Sequence, residues 1–354
     1  MLPCRRKIHT DVELNDTLPF FSIIITAYNE QDRIEKKIRN TLELDYPQDR
    51  CEILVASDGS TDATASLVKT FQDQGVKLIE VEERKGKENA QLKAIEQARG
   101  EILVFSDVAT IIPENGLQRL YLAFRDPKIG AVSSEDKFIN QNGELAGEGA
   151  YIKYEMWLRK LESRTYSLVG LSGSFFACRN EICKHWDISI PSDFNSALNC
   201  VSQGYIAVSD NSVLGYYQNL QDETREYARK LRTVIRGISA LYEKRGTLNP
   251  FRYGMFSFFV FSHKLMRWLV PIFLIILFLS NIYLLNDSVL YSSIMLAQIA
   301  FYTLAMTGWL VKSARNHNLV KIPYFFIQVN LAILHAELQF LAGKRITKWE
   351  PSKR

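Results

Sequence analysis

The chain has 354 residues, of which 47% are apolar and 23% charged, a mixture typical of a folded protein and not of a disordered one. Its five cysteines form no CxxC pair, which argues against a zinc site and favours free thiols in a reducing compartment. The net charge is only +4, and the basic residues cluster at 225–267 and 344–354, which favours contact with a membrane surface over nucleic acid.

The first 19 residues are polar and form a separate N-terminal segment. The apolar run that follows them is too short for the core of a signal peptide. We therefore expect no cleaved leader at this end.

Strands and helices alternate over residues 20–248. Four short apolar runs predict strands, and the segments between them have the apolar period of helices, as with Ile34, Ile38 and Leu42. The strands are predicted at 20–27, 51–57, 76–81 and 101–107. This alternation predicts the α/β class, with a mostly parallel sheet flanked by helices.

Carboxylates follow three of these strands. Glu30 follows the first strand, Asp58 ends the second and Asp107 ends the fourth. Because parallel strands end at one edge of a sheet, where ligands of such sheets bind, we expect these acids to lie close together. Asp and Ser also cap helices, and for Asp62 capping is the favoured interpretation.

Two common nucleotide-binding loops are absent from the sequence. The turn after the first strand, AYNEQDR, contains no glycine, which excludes the GxGxxG dinucleotide fingerprint, and the chain has no GxxxxGK[ST] loop. A site that presents acids to a nucleotide remains, with the base held by hydrogen bonds and the diphosphate met by a divalent cation.

Residues 249–354 have the character of a membrane region. The uncharged runs 268–286 and 289–311 are long enough to span a bilayer as a helical hairpin. An aromatic and basic segment at about 252–267 predicts an interfacial helix. For 322–342 a re-entrant or interfacial helix is favoured by the basic tail after it, and a third span stays open.

Basic residues flank the two predicted spans on one side. Lys264 and Arg267 precede the first span, and Lys312, Arg315 and Lys321 follow the second. The positive-inside rule then predicts a multi-pass protein of the cell's inner (plasma) membrane, with residues 20–248 in the cytoplasm.

Several motifs occur in a fixed order along nearly the whole chain. They are SIIITAYNE, ILVASDGSTDAT, RKGKENAQ, GEILVFSDVAT, GEGAYIKYE, GLSGSFFACR, PSDFNSALNC and EYARKLRTVIRG. Together they resemble the family-two inverting glycosyltransferases with a GT-A domain, particularly the membrane-bound branch of cellulose, hyaluronan and poly-N-acetylglucosamine synthases. The resemblance implies transfer of a sugar from a UDP-sugar to a lipid-linked or polysaccharide acceptor, alone or with other polysaccharide assembly proteins.

The resemblance also implies roles for the residues that bind the donor. Asp58 would bind the uracil ring, with Ala27, Tyr28 and Glu30 forming the other wall of the base site. Lys87 would face the uridine diphosphate.

Further roles follow for the reacting end of the donor and for the acceptor. Asp107 matches the first acid of the DxD motif, which contacts the ribose and the metal. Asp193 matches the general base that deprotonates the acceptor hydroxyl. The turn of Ser172, Gly173 and Ser174 would form the floor of the acceptor site.

The chain departs from the DxD motif of the family. Ala109 stands where the second acid is usual, so binding of Mg²⁺ or Mn²⁺ would depend on Asp107, the phosphates of the donor and another acid such as Glu135 or Asp136.

It also departs from the family's QxxRW motif. Here Glu226, Arg229 and Lys230 take the Gln, Arg and Trp positions. Arg229 and Arg232 are still implied to neutralise the leaving diphosphate, with a basic helix face on anionic lipid as the alternative. Without the Trp, processive polymer synthesis is not implied.

Two departures of this kind also suit a catalytically inactive relative that binds nucleotide or glycan and scaffolds an assembly complex. A plain soluble nucleotide-binding protein is disfavoured by the two uncharged spans. The aromatics Tyr151, Tyr154 and Trp157 recur at helical spacing and predict core packing, with stacking of one of them on a sugar ring as the alternative. His185 and Trp186 predict a partly exposed loop pair, with a position beside the acceptor as the alternative.

Overall fold

The computed structural model describes residues 18–139, 150–218 and 223–346. The polar N-terminal segment up to residue 17, the first three residues of the GEGAYIKYE motif and the basic tail after 346 lie outside the described residues. The chain divides into two compact units, the first within Met1–Gln221 and Ala240–Phe259, the second formed by Asp222–Ser239 and Val260–Ile346.

The first unit contains a mixed sheet of seven strands in the order β3-β2-β1-β4-β6-β5-β7. The two pairings of β6 are antiparallel and the other pairings are parallel. The α/β class is therefore confirmed, and β1 to β4 lie at the four predicted positions. The strands are β1 (Phe21–Ala27), β2 (Cys51–Asp58), β3 (Val76–Val81), β4 (Ile102–Asp107), β5 (Ile129–Ile139), β6 (Phe175–Arg179) and β7 (Ile206–Gln218).

Helices cover both faces of this sheet. All seven residues of β1 are buried, as expected of a central strand with helices on both sides. The helices of this unit are α1 (Ile34–Leu42), α2 (Thr64–Lys69), α3 (Lys87–Ile95), α4 (Gly116–Phe124), α5 (Ala150–Thr165), α6 (Asn180–Cys183), α7 (Ser192–Ser202), the last turn of α8 (Glu223–Glu243), α9 (Pro250–Tyr253) and α10 (Met255–Phe259).

The core lies in two layers because successive side chains of a strand point to opposite faces. Ile23 of β1 packs in the layer that also holds Ile34 and Ile38 of α1. Ile24 packs in the layer of Ala90 of α3 and Ala197 of α7.

Two expectations for aromatic residues were wrong. Trp186 is buried, because its ring stacks on Phe105 at a centroid distance of 5.0 Å and its Nε1 donates to the Glu88 carbonyl at 3.0 Å. Tyr154 and Trp157, expected in the core, are 54% and 55% exposed on α5. The side chain of Tyr151 lies outside the described residues.

The second unit consists of most of α8 together with α11 (Met266–Tyr283), α12 (Val289–Leu310) and α13 (Asn318–Leu341). Among the described residues, three helices are long and apolar enough to cross a membrane, namely Met255–Tyr283, Val289–Leu310 and Asn318–Leu341. The first includes the segment expected to form a separate interfacial helix, because α10 continues into α11 through the π-helical turns Val260–Leu265.

Residues 222–239 belong to the second unit, although the sequence-based division placed them in the catalytic domain. The reason is their packing against the apolar helices. Tyr227 OH lies 3.2 Å from Nδ1 of His335, and a Cβ added at Gly237 would lie 2.8 Å from the Trp268 ring. A side chain larger than glycine would therefore not fit at position 237.

The described cysteines, Cys51, Cys178, Cys183 and Cys200, are free thiols, as the sequence predicts. Burial raises the pKa of Cys183 and Cys200 well above the usual value, and the neighbouring Cys178 adds to the effect for both. Only the thiolate form reacts with alkylating agents.

We therefore expect Cys183 and Cys200 to resist iodoacetamide in the folded protein. Their labelling rate at pH 8, measured by mass spectrometry of each peptide, should be at least about a hundredfold lower than in denaturant, because reaction requires local opening. Labelling of either thiol at the denatured rate would contradict the packing described here.

Candidate active site

The carboxyl ends of β1, β2 and β4 meet at one edge of the sheet. In the register of these strands Ala27 pairs with Ser57, and Thr26 pairs with Asp107. The predicted donor residues Ala27, Asp58 and Asp107 therefore come together because parallel strands end side by side.

Asp58 anchors the loop that precedes α3. Its carboxylate accepts the N–H of Lys85 at 3.0 Å and the N–H of Gly86 at 3.0 and 3.1 Å, and only 2% of the residue is exposed. Gly59 allows this approach, because its φ is +66° and an added Cβ would lie 2.9 Å from the Arg84 nitrogen. Through these contacts Asp58 positions Lys87. Binding of the uracil ring by Asp58 stays a prediction.

Lys87, the first residue of α3, joins two other segments. Its Nζ lies 2.6 Å from Oδ1 of Asp107 and donates to the Gly173 carbonyl at 2.7 Å. The Lys87 side chain is 8% exposed and that of Asp107 is 24% exposed. The pair is therefore largely shielded from water, and the carboxylate keeps an accessible side.

Asp193 approaches the same glycine from α7. A Cβ added at Gly173 would lie 3.5 Å from Oδ2 of Asp193, and Leu171 N donates to the Asp193 carbonyl at 3.2 Å. Gly173 thus has the Lys87 ammonium at its carbonyl and the Asp193 carboxylate beside its α-carbon. The structure brings Lys87, Asp107 and Asp193 to one place.

The two serines that flank Gly173 hold the turn in position. Ser172 N donates to Ser133 Oγ at 2.7 Å, and Ser172 Oγ donates to Oδ1 of Asp136 at 2.7 Å. The Ser174 carbonyl accepts the N–H of Asp107 at 2.9 Å. The predicted acceptor floor is therefore bonded directly to the end of β4.

Tyr28 and Glu30 lie beyond the end of β1. The guanidinium of Arg84 stacks over the Tyr28 ring, 3.9 Å from its centroid. Glu30 is buried, with its carboxylate 2.5 Å from Arg33 and its N–H donating to Thr64 Oγ1 at 2.8 Å. Tyr28 therefore lies near the loop that precedes Lys87. The carboxylate of Glu30 is paired with Arg33 at the start of α1.

Asp62 has the capping role that the sequence favours. Its Oδ1 accepts the N–H of Thr64, the first residue of α2, at 3.0 Å, and Oδ2 accepts the N–H of Gln31 at 3.2 Å. Partial burial acts to raise the pKa of Asp62, but the hydrogen bonds from Thr64 and Gln31 outweigh it and lower the pKa below its usual value.

The acids near the site offer few oxygens to a metal ion. Glu135 lies 2.9 Å from Lys137 Nζ and 3.4 Å from Lys160 Nζ. Asp136 Oδ1 accepts hydroxyl groups at 2.6 to 3.0 Å from Ser134, Ser172 and Tyr217.

No cluster of three or more acidic, His or Cys ligands occurs among the described residues. Binding of a divalent cation by Asp107 stays a prediction; Asp107 would then be a single carboxylate ligand, with phosphates and water supplying the others, a common arrangement for Mg²⁺.

Arg229 and Arg232 lie on α8, within the second unit. Their assignment to the donor stays a prediction, and the side chain of Glu226 lies outside the described residues.

Two residues of this region were not predicted from the sequence. Arg84 stacks on Tyr28, and Lys37 of α1 donates a hydrogen bond from Nζ to Ser106 Oγ, next to Asp107. Arg84 begins the RKGKENAQ motif, but nothing in the local sequence indicates its stacking on Tyr28, which is 56 positions away in the chain. For Lys37 a signal existed, since a lysine stands on the apolar face that Ile34 and Ile38 define.

Known proteins of similar sequence or fold are glycosyltransferases or polysaccharide synthases. Residues 22–186 match the profile of glycosyl transferase family 2. Poly-beta-1,6-N-acetyl-D-glucosamine synthases of Staphylococcus epidermidis and Staphylococcus aureus are 29% and 31% identical over 175 and 178 residues, which are 47% and 48% of this chain. The aligned region spans only 42% of the length of either relative.

Among solved structures, the mannosyltransferase PcManGT from Pyrobaculum calidifontis, determined in complex with GDP-Man and Mn²⁺, is similar with a TM-score of 0.71. It covers 93% of this chain and 89% of its own at 21% identity, which shows a shared GT-A fold. The chain therefore carries, in residues 22–186, a glycosyl transferase family 2 domain.

Proposed function

We propose that the chain is a membrane-anchored inverting glycosyltransferase that transfers a sugar from a UDP-sugar to a lipid-linked or polysaccharide acceptor. The observation that carries this proposal is the meeting of Lys87, Asp107 and Asp193 at Gly173. The family 2 domain and the likeness to poly-beta-1,6-N-acetyl-D-glucosamine synthases support a glycan product.

Asp193 is the general base in this proposal. It takes the proton of the acceptor hydroxyl while that oxygen attacks the anomeric carbon and the bond from the sugar to the diphosphate breaks. The bonding electron pair leaves with UDP. One displacement from the opposite side of the sugar inverts the anomeric centre, and Gly173 leaves space beside the carboxylate for the acceptor.

Lys87 and Asp107 act on the leaving group. The Lys87 ammonium offers charge to the diphosphate oxygens in a shielded place, where electrostatic stabilisation is strongest. Mg²⁺ or Mn²⁺, held by Asp107 and the donor phosphates, would spread the charge of the leaving diphosphate. The Mn²⁺ reported with the mannosyltransferase of the same fold supports this choice of ion.

The remaining predicted residues complete the donor site. Ala27, Tyr28, Glu30 and Asp58 would surround the base, and Arg229 and Arg232 of α8 would close over the diphosphate. Ser172, Gly173 and Ser174 would support the acceptor sugar.

The apolar helices would hold the enzyme at the plasma membrane with its catalytic unit in the cytoplasm. The cationic flanks Lys264 and Arg267 of the first span, and Lys312 and Arg315 after the second, support this orientation. A site close to the membrane suits a lipid-linked acceptor, or polymer synthesis with a partner protein.

The Asp193→Asn variant tests the proposed reaction. Purified wild-type chain with Mn²⁺ should transfer radiolabelled sugar from a UDP-sugar to an acceptor in the membrane extract. Asp193→Asn should lose roughly 10²- to 10⁴-fold in kcat, because it removes the base.

The variant should still be stabilised by UDP in thermal unfolding, which serves as the control for folding. Equal activity of the variant would contradict the role of Asp193. Binding of UDP without turnover by wild type would favour the alternative of an inactive scaffold.

The Lys87→Met variant tests the contact with the diphosphate. We expect the Kd for UDP, measured by calorimetry, to rise roughly 10- to 100-fold, as for loss of a charged hydrogen bond of about 1.5–3 kcal/mol. Lys93→Met is the matched control, because Lys93 lies exposed on the same helix and pairs with Glu96. An unchanged affinity in Lys87→Met would remove Lys87 from the donor site.

A further inference from the structure

A lysine is buried beneath the turn that follows β4. Lys37 lies on the inner face of α1, and only 2% of its surface is exposed. Its Nζ donates to Ser106 Oγ and to the Thr110 carbonyl, each at 2.7 Å. Both acceptors are uncharged, so these bonds offset the loss of hydration of an ammonium group only in part.

The protonation equilibrium of Lys37 reflects this cost. Burial lowers its pKa to about 7, although the nearby Asp107 carboxylate acts in the opposite direction. An apolar side chain of similar length would fill the same volume without that cost. The packing of α1 alone therefore does not account for a lysine at this position.

The two acceptors of Lys37 bracket Asp107 in the chain. Ser106 precedes Asp107 directly, and Thr110 follows it by three residues, with Thr110 N donating to the Asp107 carbonyl at 3.1 Å. Lys37 thus connects the two ends of the turn 106–110 from the side of α1. Two further contacts hold the same turn. Lys87 pairs with the side chain of Asp107, and the Ser174 carbonyl accepts the N–H of Asp107.

The turn borders open space on the side of α1. A pocket of about 140 Å³ lies there, lined on one side by residues of α1 that include Lys36 and Lys37, and on the other by residues of the turn that include Ala109 and Thr110. Val108, in the middle of the turn, packs in the core layer that also holds Ile34 and Ile38 of α1, whereas the small side chain of the neighbouring Ala109 adds few contacts that would oppose a shift of the turn toward the pocket. The hydrogen bonds of Lys37 oppose such a shift.

We propose that Lys37 is a positioning residue for donor binding, which clamps the turn 106–110 and thereby holds the Asp107 carboxylate in place for Lys87 and the donor. The donor part of this proposal rests on the proposed function, and the clamp itself does not. Lys37 acts through Asp107 and does not touch the donor.

The test compares Lys37→Met with Lys36→Met in the full chain. Lys36 is an exposed lysine of the same helix and lines the same pocket, so its loss should leave all measurements unchanged. In Lys37→Met we expect faster amide hydrogen exchange at 107–111, by about tenfold or more, and a melting temperature equal to that of wild type or higher.

In the same variant the Kd for UDP and the KM for the UDP-sugar should each rise about tenfold, with a smaller effect on kcat. Ser106→Ala removes one acceptor from the opposite side of the clamp and should weaken UDP binding by a smaller factor. In the double variant the effects should not add, because both changes break one interaction.

The outcomes separate the two proposals. Unchanged exchange at 107–111 in Lys37→Met, or unchanged UDP affinity, would overturn the role of Lys37. If Lys37→Met fails to fold, unchanged exchange and UDP affinity in Ser106→Ala would overturn it equally. Faster exchange in a protein whose wild type binds no UDP would keep the clamp and contradict the proposed function.

Discussion

The candidate site depends on the ion pair between Lys87 and Asp107, together with the bond from Lys87 to the Gly173 carbonyl. One ammonium group thereby joins the start of α3, the end of β4 and the turn before β6. Asp193 approaches the same glycine beside its α-carbon, and the Lys87 ammonium compensates the charge of the second acid, Asp107. The Lys87 side chain is shielded from water, which strengthens its electrostatic interactions, and the Asp107 carboxylate remains partly accessible to a ligand.

The backbone around Lys87 explains how the ammonium reaches this position. Asp58 receives the N–H groups of the loop before α3, and that loop can approach β2 closely only because Gly59 has no Cβ. The end of β2 therefore sets the start of α3. The family resemblance implies that Asp58 binds the uracil ring. In the structure its carboxylate holds the loop that positions Lys87.

Much of this arrangement could be predicted from local patterns. The apolar runs predict β1 to β4, and the rule that parallel strands end at one edge predicts that Asp58 and Asp107 meet. Asp193 comes from α7, far away in the chain, and only the resemblance to a known family linked it to the other two acids.

The features that the sequence did not predict depend on long-range packing. Trp186 is buried because Phe105 of β4 offers a ring to stack on, and no periodicity in a loop reports such a partner. Tyr154 and Trp157 have the spacing of core residues, yet α5 leaves them exposed. Residues 222–239 follow the catalytic domain in the chain but pack with the apolar helices, because Gly237 and Tyr227 contact them.

A structure determined with bound UDP would show whether the Lys87–Asp107 pair contacts the donor. We expect an oxygen of the diphosphate to lie within hydrogen-bonding distance of Lys87 Nζ, at the edge where Asp107 and Gly173 meet. UDP bound elsewhere in the first unit, with the contacts of Lys87 to Asp107 and Gly173 undisturbed and away from the ligand, would contradict this expectation.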